Sequence, residues 1–62
     1  MFEVIWRQLA PEKREVRRAT FTDFDAACRE AQTFNLSIPG TAEATVYNER
    51  GGRLDCWVRD NA

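Results

Sequence analysis

Residues 22–34, TDFDAACREAQTF, place Phe24, Ala27, Cys28, Ala31 and Phe34 at i, i+3, i+4, i+7 and i+10. That recurrence follows the 3.6-residue turn of an α-helix and draws one unbroken apolar stripe along one side of it. The stretch therefore predicts a single amphipathic helix. Thr22 stands where a hydroxyl accepts an orphan backbone N–H, and Asp25, three residues on, is spaced to reach back in a capping box. Asp23 and Asp25 also suit the positive end of the helix dipole. The opposite side carries Asp25, Arg29, Glu30 and Thr33 and reads as solvated, with Asp25 and Arg29 spaced for a weak i,i+4 pair. Asn35 is a residue type that tolerates the left-handed conformation ending many helices. Leu36-Ser37-Ile38-Pro39-Gly40 follows as a connection whose Leu36 and Ile38 are expected to close the bottom of the core.

The segments on either side have strand character. Residues 2–9, FEVIWRQL, are rich in β-branched and aromatic types and stop at Ala10-Pro11-Glu12-Lys13, where proline cannot continue a paired central strand. Residues 15–21, EVRRATF, alternate less cleanly, but the short polar connection makes an antiparallel hairpin the natural pairing. Beyond the helix, residues 42–48, AEATVYN, and 53–59, RLDCWVR, are joined through Asn48-Glu49-Arg50-Gly51-Gly52, whose two glycines are expected to supply the positive φ of a tight hairpin. The resulting plan is ββαββ: an α+β fold with a four-stranded, mainly antiparallel sheet and one helix packed on one face, all within a single compact domain over residues 1–62.

Alternation along each strand assigns faces. Phe2, Val4 and Trp6 share one side of the first strand, and Glu3, Ile5, Arg7 and Leu9 the other. In the last strand the division is Leu54, Cys56 and Val58 against Asp55, Trp57 and Arg59. The first set in each strand is the better core by hydrophobicity, with Val46 and Val16 expected to join it beneath the helix. The uncovered face would then display Ile5, Arg7, Tyr47 and Trp57, with Arg17 and Arg59 close by and Glu3 and Asp55 among them. Aromatic and arginine side chains combine large contact area with directed hydrogen bonds and are enriched at binding hot spots. Trp57 has a plainer alternative, cover by arginine stems or a chain terminus. Lys13-Arg14-Glu15-Val16-Arg17-Arg18 is the one basic run, suited to phosphates, to an acidic protein or simply to solvent. Ile5, Arg7, Arg17, Arg18, Tyr47, Trp57 and Arg59 are thus the candidate partner-binding residues.

Sixty-two residues form one small core, hiding about 60% of the unfolded surface and stabilised by on the order of 3–9 kcal/mol. Ten acids against nine bases give a net charge of -1, which lacks the broad positive field of a nucleic-acid or membrane binder. The charge is uneven: residues 1–20 sum to +2 and residues 21–62 to -3. The apolar runs are short, and Met1-Phe2-Glu3-Val4 has neither the basic region nor the hydrophobic stretch of a signal peptide, so a cytoplasmic protein is expected. Cys28 and Cys56 belong to no CxxC pair and read as two buried thiols.

Histidine is absent, and Ser37, Lys13 and Tyr47 are the only residues of their types. Ser–His and Cys–His nucleophile systems and most zinc sites are thereby removed, and neither a metal nor any other cofactor is expected. Asp23 and Asp25 are better explained by capping than by acid–base work, and the Gly51-Gly52 turn lacks the pattern of a phosphate loop. The chain is expected to be no enzyme but a protein-binding module or small inhibitor, acting on another protein or on itself as a homodimer. In size and plan it resembles accessory proteins of phages and mobile elements, including anti-CRISPR-like inhibitors of a host macromolecule, a resemblance that assigns no residue a role. The alternative is a small single-stranded nucleic-acid-binding domain that stacks bases on Trp57 and Tyr47 while Arg7, Arg17 and Arg59 hold phosphates.

Overall fold

The computed structural model describes residues 1–60. It comprises strands β1 (Phe2–Gln8) and β2 (Arg14–Phe21), helix α1 (Phe24–Asn35), and strands β3 (Ala42–Asn48) and β4 (Arg53–Arg59). The four strands form one sheet in the order β2-β1-β3-β4, and every neighbouring pair is antiparallel. The fold is the ββαββ arrangement expected, with the first strand of each hairpin at the centre and β2 and β4 at the edges.

Helix α1 crosses chiefly β1 and β3. Its Ala27 and Ala31 pack on Val4, Trp6, Ala42, Ala44 and Val46, with Ile38 completing the buried cluster. Four of those positions are alanine, which lets the helix approach the sheet closely and leaves Trp6 as the largest fully buried side chain. The Trp6 indole donates from Nε1 to the carbonyl of Ala31 at 3.0 Å, so the one polar atom brought in by that residue is satisfied within the core. Phe34 packs edge-on against Trp6 at 5.2 Å, and Phe24 against Phe2 at 5.4 Å.

Several local expectations are corrected. The N-cap of α1 is Asp23, not Thr22: its backbone is extended and its carboxylate accepts from Ala26 N at 3.0 Å. A carboxylate is as good an acceptor here as a hydroxyl, and moving the cap by one makes Phe24 the first helical residue. Asn35 does not leave the helix in a left-handed turn but is its buried last residue, and Leu36 follows as a right-handed C-cap. In the β3–β4 turn only Gly51 has positive φ, at 82°. At Gly52 a Cβ would stand 2.9 Å from Asn48 Nδ2, so a side chain there would displace Asn48 from the turn. The Asn48 side chain folds over the turn and accepts from Arg50 N and Gly52 N.

Two bulges alter the face assignments. The β1–β2 register shifts between Trp6 and Arg7, leaving Val16 without a partner; Val16 is exposed instead of buried, and Arg17 lies opposite Trp6. In β4 the predicted faces are exchanged. Val46, Ala44 and Ala42, all buried under the helix, stand opposite Asp55, Trp57 and Arg59. Directly opposed residues share a face, so these three project to the helix side while Cys56 and Val58 project away from it. Leu54 is the extra residue of the second bulge. Hydrophobicity favoured the opposite choice, but the small Ala42 and Ala44 leave room beside them that Trp57 and the stem of Arg59 occupy. Leu36, also expected in the core, is 71% exposed.

Candidate functional site

The seven candidate residues divide between the two faces of the sheet. Ile5, Arg7, Arg18 and Tyr47 lie on the open face, whereas Arg17, Trp57 and Arg59 lie on the helix side. No continuous aromatic and arginine surface unites them, and Tyr47 and Trp57 share no stacking platform.

On the open face, charges are arranged in opposed pairs. Arg18 reaches Glu15 at 2.8 Å and Glu3 at 3.4 Å. Glu43 receives both Arg7 at 3.6 Å and Lys13 at 3.4 Å. The Arg18 guanidinium, by hydrogen bond and by charge, holds the Glu15 carboxyl below the usual carboxylate range, and Glu15 in return raises the pKa of Arg18 further. Ile5 sits in register between Arg18 and Thr45 and is only 6% exposed, roofed by its own long neighbours. This half of the open face is a closed lattice whose bases already have acidic partners.

Arg17 is also engaged. Its guanidinium lies 4.8 Å over the Trp6 ring and 4.5 Å over the Phe34 ring, and its Nη1 meets Glu30 of the helix at 2.9 Å. A cation held against two aromatic rings and a carboxylate closes the β2 side of the core. At the other edge Arg59 donates from Nε to the Asn35 carbonyl at 2.9 Å and from Nη2 to the Ile38 carbonyl, tying β4 to the last residue of the helix and to the connection that follows it.

What remains open gathers around β4. The two most exposed large apolar side chains among the described residues are Leu36, at 71%, and Val58, at 63%. They flank one shallow depression of about 220 Å³, lined also by Gln32, Asn35, Trp57 and Arg59. Asn35 is buried and donates from Nδ2 to the Trp57 carbonyl at 3.4 Å, while its Oδ1 has no hydrogen-bond partner among the described residues. On the far face, Thr45 donates its hydroxyl to Cys56 Sγ at 3.5 Å, and Val58 lies next along the strand.

Comparison with known protein families matched no family model, and neither curated proteins nor solved structures gave a match.

Among the described residues no group of three or more His, Cys, Asp or Glu is placed to hold a metal, and no helix is long and apolar enough to cross a membrane. Cys28 and Cys56 are unpaired and half-buried. Burial, and after it the carboxylates of Asp55 and Asp25, push the Cys28 thiol above its ordinary value, which disfavours the nucleophilic thiolate. Leu36 and Val58 were missed as surface residues because each looked like core. For Val58 the signal in the sequence was the competing parity of β4, which buries the large ring of Trp57; for Leu36 no local pattern marked it.

Proposed function

We propose that this chain is a non-catalytic protein-binding module or small inhibitor that docks through the β4 side of the molecule. The observation that carries this reading is the depression along the outer margin of β4, lined by Leu36, Trp57 and Val58, with Leu36 and Val58 both exposed, while the basic residues Arg7, Lys13, Arg17 and Arg18 are matched by acids. Exposed apolar side chains around a half-buried tryptophan suit a protein surface, whereas phosphate binding needs unpaired cations. The partner expected is a protein that offers an apolar side chain to the depression and polar groups to its rim. The two unpaired cysteines fit a reducing compartment, and the module is read as working in the cytoplasm.

The test is affinity capture from the organism that encodes the chain, with wild type, Val58→Asp and Trp57→Ala as baits. A protein partner held by wild type and lost with Val58→Asp, at unchanged circular dichroism, supports the reading. Single-stranded DNA or RNA that binds wild type and Val58→Asp alike, with affinity falling steeply as salt rises, replaces it with the nucleic-acid alternative.

A further inference from the structure

We propose that β4 pairs with β4 of a second copy, antiparallel about a two-fold axis at Trp57, joining two four-stranded sheets into one of eight. β4 is an edge strand, bonded to β3 on one side only, so the other side presents backbone N–H and C=O groups to whatever strand fits. The opposite edge, β2, has its bulge at Val16 among the closely spaced Arg14, Glu15, Arg17 and Arg18, devices that discourage pairing, whereas the bulge of β4, at Leu54, stands before the regular stretch Asp55–Arg59.

Within the regular stretch Asp55–Arg59, beyond the bulge at Leu54, the order of charges selects the register. Opposed residues of an antiparallel pair share a face, so a two-fold pairing of identical strands must centre on a residue and match odd positions with odd ones. Centred on Asp55 or on Arg59, the pairing sets like charges against each other. Centred on Cys56, it sets Asp55 against the partner's Trp57; centred on Val58, it sets Arg59 against the partner's Trp57. Only the centre at Trp57 places Asp55 opposite the partner's Arg59, and by symmetry repeats that opposite-charge pair on the other side of the axis. Trp57 then meets its own copy between the two ion pairs, and on the other face Cys56 meets the partner's Val58.

The side chains are prepared for this. Asp55 is exposed, and its Oδ1 accepts from Cys56 N at 2.8 Å, a local bond that the second strand's carbonyl displaces on pairing, while Oδ2 is open to receive the partner's Arg59. Arg59 is held in place through Nε and Nη2 by the Asn35 and Ile38 carbonyls, while its Nη1 makes no hydrogen bond among the described residues. The total surface of one copy is 4042 Å², so a standard share of about 800 Å² per partner would take roughly a fifth of it. Five strand residues with Leu36 and the rim of the depression offer less, and the dimer is accordingly a dissociable one.

This inference shares β4 with the proposed docking surface but stands on the strand edge and its charge order. Sedimentation velocity of the purified chain over a wide concentration range reads it directly. Wild type is expected to pass reversibly from monomer to dimer, and Asp55→Arg to weaken the dimer roughly tenfold or more at unchanged circular dichroism. Mixing Asp55→Arg with Arg59→Asp should restore a heterodimer, because each variant repels itself and complements the other. Where Arg59→Asp fails to fold, Val58→Cys in a Cys28→Ala background gives a second measure: on oxidation, position 58 should cross-link to the partner's Cys56. Wild type that stays monomeric throughout, a dimer indifferent to Asp55→Arg, or a Cys56-to-Cys56 link in place of the expected one overturns the proposal. A monomer that still captures another protein overturns the dimer and leaves the docking reading standing, and a dimer that captures nothing does the reverse.

Discussion

At the residue scale, Arg17 shows how a side chain that looks like a recognition element becomes part of the interior. In the sequence it belongs to a basic run; in the fold it lies over Trp6 and Phe34 and bridges to Glu30. The one-residue bulge at Val16 sets this, and a bulge leaves no pattern in a strand that alternates poorly already. Arg17→Ala is expected to lower stability by about 1–2 kcal/mol in urea unfolding, with Arg17→Lys losing less because the charge remains while the planar stacking does not. Equal losses for the two variants would place the effect elsewhere. Cys28 carries a pH-dependent prediction. Its thiol ionises later in the fold than in the unfolded chain, where the value is about 8.5. The stability it contributes is therefore whole below that value and lost as pH rises through the higher folded one. Replacing Cys28 with alanine should flatten the alkaline fall of the unfolding midpoint above roughly pH 8.5, and wild-type Cys28 should react with a disulfide reagent at neutral pH more slowly than a free thiol.

At the element scale, the helix was the most legible part of the chain, because five apolar residues at one period admit no other regular structure. Its ends were less so. Thr22, Asp23 and Asp25 are all competent caps, and only the backbone decides among them. Asp23→Ala should cost about 1 kcal/mol of stability and Thr22→Ala much less, measured by thermal or urea unfolding; the reverse order would return the cap to Thr22. The strand boundaries were legible to within a residue or so from β-branched content and turn residues. The face of β4 was not, because an edge strand at the margin of a single helix is only loosely bound to alternate core with solvent, and Arg59 faces inward to reach the Asn35 carbonyl, far away in sequence. That interaction joins residues 24 positions apart, and no local pattern encodes it.

At the scale of the whole molecule, two hairpins around a helix could be read from the chain, but their joining could not. The β1–β3 seam, which matches Phe2 with Asn48 and Gln8 with Ala42, joins strands that the helix separates in sequence, and the sheet order follows from it. The candidate site suffered from the same gap: its residues were of the right kind for recognition, yet the seam and the bulges distributed them over two faces and moved the exposed apolar margin to Leu36 and Val58. The two tryptophans were separated as well. Trp6 is wholly enclosed and hydrogen-bonded at the centre, whereas Trp57 is half-covered at the margin. The protein thus holds two intrinsic fluorophores with different contact with solvent. Trp57 should be open to a soluble quencher and Trp6 shielded from it until the chain unfolds, so one emission spectrum can follow occupation of the β4 margin and loss of the core as separate events.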